Sequence, residues 1–506
     1  MELKVFRDTL SAAGGSCTVK AEIPIETEIL ISDYLPQVFK IVKCFARPVV
    51  LQKQLQPGRL TLEGYIRCIV YYQGEDGAGL CQTEQKLPFN KSVELPSFAF
   101  SSWSAVVEGE TEYLNCRAVN SRRIEVRGAF GLVASVHTQC RTEVITALSD
   151  GGAEQQQTLL QGVRCAAVLD KLITADGDLR FPQPPAAILD ITGSAVLREL
   201  KLLNGKGVAK GEIRASCAWR AQGDKTLQSQ TVTVPFNQIL DVEGLTEDCQ
   251  CLCTVEPVGF AVLEGEGNAP GRLTATALLH LRAWRPYELN CVTDAFSTRY
   301  ETRAETQELE IEKLACTLDE SAAVTGSGPL PDENTRLLAC FASFGPTQIV
   351  QRGNTPALTA RVLVTAFGEN SLGEIESYDK ALEFVLPMPA AAPAGGELYP
   401  ECWLSAEGIQ ASCVGGTLEV SLTVHAEGAV LCRHKWPCIG AIELGEELAQ
   451  ADPEISLRIY YAQAGEELFA IARRFHVSPS QMMTANNLEA GTKSLTSPCR
   501  LLVPGA

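Results

Sequence analysis

The sequence predicts a mainly β fold: three tandem antiparallel, sandwich-like repeats of about 150 residues, followed by a small βααβ domain. Three observations predict it. Period-two alternation of apolar and polar residues recurs before Glu454, a proline–aromatic signature recurs with it at fixed spacing, and helical periodicity enters only after that point. At 506 residues the chain is too long for one core. The expected boundaries are 1–148, 149–303 and 304–448 for the repeats and 456–506 for the terminal domain.

The repeated element is GYIRCIVYY from Gly64 and GEIRASCAW from Gly211. In each copy 24 residues separate the glycine from a proline that precedes an aromatic residue, in LPFN (Leu87–Asn90) and VPFN (Val234–Asn237). A looser third copy begins ARVLVTAF at Ala360 and is expected to end at LPM (Leu386–Met388), with Pro387 in the place of Pro88 and Pro235. Alternation puts Ile66, Cys68, Val70 and Tyr72 on one strand face, and Ile213, Ala215, Cys217 and Trp219 on the equivalent face. A later strand recurs as RRIEVRGAFGLVASV from Arg122, GRLTATALLHLRAW from Gly271 and GTLEVSLTVHAEG from Gly416. EDGAG (Glu75–Gly79) and LNGKG (Leu203–Gly207) read as hairpin-type connections. Prolines in ISDYLPQVFKIVKCFARPVVLQ and FPQPPAAILDITGSAVLREL stand just ahead of strands, where a missing N–H costs least.

Composition narrows the function. With 45% hydrophobic and 21% charged residues the chain is expected to fold, and its net charge of −18 argues against a nucleic-acid partner. From Ser456 onward five basic residues face three acidic ones, so the tail is +2 and the body −20. Ordinary surface scatter explains this; contact with an acidic protein or a second copy is the alternative. The N-terminus, MELKVFRDTLSAAGGS, carries charges where a signal peptide needs an apolar run, and no transmembrane segment is expected. Nineteen scattered cysteines fit reduced, buried thiols in a cytosolic setting better than a disulfide scaffold. Cys249, Cys251 and Cys253 share a strand face, and Cys432 and Cys438 flank His434; packing, not metal, is expected for both groups.

Catalytic signatures are missing. LNGKGVAKG lacks the spacing and hydroxyl of a phosphate loop, and neither HExxH nor GxSxG occurs. His280 and His425 each follow a leucine (Leu273, Leu418) by seven residues, a repeated structural position. Glu308 and Glu310 alternate as on a solvated strand face. No enzyme, no metal and no cofactor are expected.

The order of extended stretch, proline turn, paired strands and Leu-Pro-Phe resembles the SPOCS domain of bacterial spore-coat and spore-envelope assembly proteins. The resemblance runs from Glu22 to Glu447 in three copies, the third with Ala360 for glycine and Met388 for phenylalanine.

After Leu457, RIYYAQ reads as a short strand, and GEELFAIARRF places Leu468, Ile471, Ala472 and Phe475 at helical spacing. Ser478-Pro479-Ser480-Gln481 reads as a helix start, with serine as N-cap and glutamine at the capping-box position. Met482, Met483 and Leu488 are expected to close a core with Leu501–Pro504. Tyr461, Gly465, Leu468, Ile471, Ala472, Val477, Asn486, Asn487, Leu488 and the final Leu-Val-Pro resemble a LysM domain. The resemblance implies a shallow groove for N-acetylglucosamine polymers. Its sides would be Ala464, Gly465, Glu466, Glu467 and Leu468, and Asn486, Asn487, Leu488 and Glu489. The usual Gly-Asp-Thr/Ser-Leu is here Gly465-Glu466-Glu467-Leu468, a carboxylate that only accepts in place of a hydroxyl. The usual Pro-Gly turn is Pro498-Cys499.

SPOCS-like repeats ahead of one LysM domain resemble the spore-coat morphogenetic (encasement) proteins of endospore-forming Firmicutes. The resemblance implies a non-enzymatic assembly adaptor in the mother-cell cytoplasm at the forespore surface. Its implied partners are the coat-basal-layer morphogenetic ATPase and other coat proteins, with self-association of the repeats as a further contact. The competing expectation is a peptidoglycan-binding protein of the cell or spore envelope, with glycan in the groove.

Overall fold

The computed structural model describes residues 3–33, 35–75, 77, 79–221, 227–263, 271–353, 355–389, 395–449, 458–489 and 491–504. Asp76 and Ala78 of the expected EDGAG connection, and 450–457 ahead of the terminal domain, lie outside them. The fold is mainly β, and its strands pair antiparallel.

The first six strands are β1 (Lys4–Leu30), β2 (Val38–Gln56), β3 (Arg59–Gly74), β4 (Gly79–Glu94), β5 (Ser102–Asn120) and β6 (Arg123–Ser149). They form two three-stranded sheets, β1-β6-β5 and β2-β3-β4. The next six are β7 (Ala153–Leu179), β8 (Pro185–Leu203), β9 (Lys206–Ala221), β10 (Leu227–Asp241), β11 (Gln250–Leu263) and β12 (Gly271–Ser297). They repeat the order as β7-β12-β11 and β8-β9-β10. A third set comprises β13 (Tyr300–Pro329), β14 (Arg336–Phe344), β15 (Gln348–Arg352), β16 (Thr355–Glu369), β17 (Ile375–Pro387), β18 (Glu397–Val414) and β19 (Thr417–Glu447). Its sheets are β13-β19-β18 and a four-stranded one in which β14, β15 and β17 all pair with β16.

Each pair of sheets closes on its own apolar core, because period two turns one face of every central strand inward. Ile66, Cys68, Val70 and Tyr72 are buried in the first core; Ile213, Ala215 and Cys217 are buried on the equivalent face of β9, with Ile213 and Ala215 in the second core. Cys249 and Cys253 are buried in the second core and Cys251 packs against it, so this thiol row is packing.

The repeated glycines have a local cause. Val50 pairs Gly64 and Gln52 pairs Glu63, leaving Leu51 as an extra residue; Leu197 pairs Gly211 and Glu199 pairs Lys210, leaving Arg198. At both bulges the partner backbone crowds the glycine: a Cβ on Gly64 would strike the Val49 carbonyl, and one on Gly211 the Val196 carbonyl. Phe89 and Phe236 pair directly with these glycines. The third set solves the problem differently. The strand opposite Ala360 is interrupted between β14 and β15, at residues 345–347, which leaves room for a Cβ. Register also corrects the expected alignment of this copy. Phe384, not Met388, pairs with Ala360, and Glu383 holds the position of Pro88; Pro387 lies farther along, opposite Ala357.

The three sets share further cores. Leu10, Val144, Leu160, Cys291, Ile311 and Cys438 form one from strands of all three sets. Tyr71, Leu189, Phe341 and Phe367 belong to another, in which the Tyr71 and Phe367 rings are 4.9 Å apart. Thus Ile69 and Tyr71 are buried on the second face of β3, which the simple alternation leaves to solvent.

The terminal residues fold as β20 (Arg458–Ala462), α1 (Leu468–Phe475), α2 (Pro479–Ala485) and β21 (Cys499–Val503), with β20 and β21 paired. Leu468, Ile471, Ala472, Val477, Met482, Leu501 and Val503 make its core. Pro479 opens α2 as expected, but the capping box does not form. The Ser478 hydroxyl bonds the Ser480 hydroxyl at 2.6 Å and leaves the backbone N–H groups uncapped by a side chain. Phe296 of β12 joins this core and meets Phe469 edge-on at 5.2 Å. Arg473 donates to both oxygens of Asp294, at 2.7 and 2.8 Å, and the His476 Nδ1 is 3.1 Å from the Ser297 carbonyl. The module is therefore seated on the end of β12, a basic side chain meeting the acidic body within one chain.

Candidate functional site

The nine residues expected to line the groove separate into two groups. Glu466 is occupied: its carboxylate accepts from the Tyr460 hydroxyl and the Gln463 N–H, both at 2.9 Å. Asn486 is occupied more fully. Its amide donates to the carbonyls of Met482 and Leu502, both at 2.8 Å, and its oxygen accepts from the Leu502 N–H at 2.6 Å. It pins the loop after α2 to β21. Leu468 is buried in the module core and Leu488 packs against it. Ala464, Gly465, Glu467, Asn487 and Glu489 remain exposed. Gly465 has φ +88°, which glycine adopts freely, and its N–H donates to the Leu495 carbonyl at 2.7 Å. The loop residues thus build the module first and leave Glu467 and Glu489 as the charged groups on offer.

Sequence reasoning missed a second site. A cavity of about 1310 Å³ opens among the three sets of strands, and its wall includes Lys53, Glu108, His280, Trp403, His425 and Glu427. One side of it is a belt of buried ions. Lys53 reaches Asp170 at 2.7 Å and the Ala105 carbonyl at 2.9 Å. Asp170 also meets His280 Nδ1 at 2.8 Å and Arg282 at 3.0 Å. Arg282 and His280 both lie over the Trp403 ring, 5.5 and 4.5 Å from its centre. Glu401 accepts from Ser104 and faces Arg282 at 3.8 Å. Farther along, Arg433 donates to Glu312 at 2.7 Å, and Gln139 joins that carboxylate to the backbone of Val163 and Cys165. Strands of all three sets contribute, so the belt is a fastening between them.

Electrostatics follow from burial and neighbours. Burial alone would raise the Asp170 carboxyl, but Lys53, His280 and Arg282 together hold it well below the usual carboxylate range. Burial raises Glu401 despite the opposing charge of Arg282. His137, stacked on Tyr399 at 3.7 Å, is drawn down to about 3 by burial and by Arg433, so it is neutral at pH 7. On the cavity wall Ser321 bonds His425 at 2.9 Å, and His425 meets Asp319 at 3.2 Å. Asp319 is 86% exposed, unlike the buried carboxylate that orients the imidazole of a catalytic triad. Only one signal in the sequence pointed here: His280 and His425 recur at one register position. Glu312 was hidden, since it continues the Glu308–Glu310 face that begins in solvent.

Comparison with known proteins matches two segments, residues 37–119 and 186–260, to the family model described as SipL, SPOCS domain. The first segment spans β2 to β5 and the second β8 to β11, equivalent parts of two successive strand sets. The SPOCS resemblance is supported there. No curated protein and no solved structure matches the chain. No helix among the described residues is long and apolar enough to cross a membrane.

Proposed function

We propose that this chain is a non-enzymatic assembly adaptor of the spore coat or envelope, acting in the mother cell at the forespore surface. The SPOCS match supports a sporulation-related protein. In this reading residues 1–148, 149–303 and 304–448 are three SPOCS-like repeats held around one cavity, and 456–506 is a LysM-type module. The module docks the coat-basal-layer morphogenetic ATPase, and the repeats present surfaces to other coat proteins or to further copies of the chain.

One observation carries the preference for protein over glycan. Glu466 and Asn486, two polar residues of the expected groove, already make hydrogen bonds inside the module. What stays exposed is dominated by Glu467 and Glu489, charges suited to a cationic protein surface. The test is retention of the full chain on immobilised ATPase and, separately, on purified peptidoglycan. The expected result is retention on the ATPase that falls about tenfold, or ~1.4 kcal/mol, in Glu467→Lys. Unchanged retention of the variant would move the docking face elsewhere. Binding to peptidoglycan without binding to the ATPase would establish the glycan reading instead.

A further inference from the structure

Two cysteines from facing sheets meet at the cavity wall. Cys44 lies on β2 opposite Val70 of β3, and Cys116 lies on β5 opposite Val126 of β6. β2 and β5 are edge strands of their sheets and contact each other across the first core. Both cysteines are half-buried, both pack against that core and both line the cavity. Cys44 and Cys116 are neighbouring side chains where β2 and β5 meet.

We propose that Cys44 and Cys116 form a reversible dithiol–disulfide site that clamps the two sheets of the first strand set when oxidised. The proposal is independent of the adaptor reading, since it concerns only these thiols and their strands. The oxidant is a low-molecular-weight disulfide of the glutathione class.

Roles follow from the contact. The neighbouring Cys44 holds the Cys116 thiol below its ordinary range, whereas Cys116 and burial push Cys44 up. Cys116 is therefore the attacking thiolate and Cys44 the resolving thiol. The Cys116 thiolate attacks one sulfur of glutathione disulfide, forming a mixed disulfide and releasing one glutathione thiolate. Cys44 then loses its proton to solvent and attacks the Cys116 sulfur, expelling the second glutathione. The protein gives up two electrons and two protons, and one glutathione disulfide becomes two thiols. Several buried thiols are poorer nucleophiles: burial pushes Cys68 up to about 11, and Cys251, Cys253 and Cys402 each up to about 12. In the disulfide form the edge strands β2 and β5 are joined across 71 intervening residues. Such a link stabilises by restricting the unfolded chain.

Trypsin isolates each cysteine on its own peptide, residues 44–53 and 92–117. The reduced full chain is incubated with glutathione disulfide, its remaining thiols are alkylated, and the digest is mapped by mass spectrometry without reduction. The expected first product is the 44–53 peptide joined to the 92–117 peptide, two hydrogens lighter than their sum and reversed by dithiothreitol. In Cys44→Ser the reaction should stop at a glutathione adduct on Cys116, and in Cys116→Ser the link should vanish. Should either variant misfold, the wild-type map decides alone. Wild-type Cys44 and Cys116 both recovered alkylated after other cysteines have reacted, or each joined to a different cysteine, would overturn the proposal.

Discussion

Glu427 lies on β19 between Asp319 of β13 and Trp403 of β18, on the cavity wall. Burial, with the Asp319 charge added, pushes its carboxyl up to about 7. A folded-state value raised above the unfolded one gives a contribution fully present below about pH 4.3 and lost as pH rises through 7. Glu427 alone should therefore lower stability by on the order of 3 kcal/mol between pH 4.5 and pH 8. Glu427→Gln should flatten that fall, which urea denaturation of both proteins at the two pH values would measure. Identical pH slopes would show that Glu427 is charged without penalty. At this scale sequence was a partial guide. Asn486 was legible as a residue with a fixed place in the module, but its three bonds to Met482 and Leu502 depend on β21 closing beside it. A side chain's last contacts belong to the tertiary fold, and no local pattern records them.

At the scale of the element, the Gly64 and Gly211 copies show why part of the repeat was readable. Period two alone sent Ile66, Cys68, Val70 and Tyr72 inward, and all four are buried. The bulges at Leu51 and Arg198 explain the glycines, yet bulges leave no residue signature and were not foreseen. Nor was the aromatic Phe384, because the loop before β17 changes the count while register preserves the pairing. The bulge argument makes a prediction. Gly64→Val should cost about 2–3 kcal/mol, because a side chain must displace the Val49 backbone and the Phe89 ring. Ala360→Gly, at the interrupted strand, should cost under about 1 kcal/mol, the ordinary entropic penalty. Chemical denaturation of the two variants compares them directly. Equal costs would mean that the bulge does not constrain Gly64.

At the scale of the molecule, the chain reads in sequence as beads in a row, and the structure draws them together. Ile69 and Tyr71 could not announce their burial, because Phe341 and Phe367 reach them from the third set of strands. Lys53 is the test of that closure. It belongs to β2, whereas Asp170 belongs to β7, and the side chains of both are about nine-tenths buried. Removing one member of a buried pair leaves the other charge uncompensated, a loss of about 3–5 kcal/mol. Arg282 and His280 stay beside Asp170, so Lys53→Met should fall near the lower end, about 3 kcal/mol. Lys206→Met is the control: Lys206 meets Asp241 at 3.4 Å within one hairpin, both are largely exposed, and its loss should change stability by under about 0.5 kcal/mol. Scanning calorimetry distinguishes the consequences. If the shared cores and the ion belt make the three sets one cooperative body, the native chain unfolds in a single transition. Lys53→Met then splits off an earlier transition for the first set, which loses its tie to the second. Three separate transitions in the native chain, unchanged by the substitution, would mean that each set of strands stands on its own core.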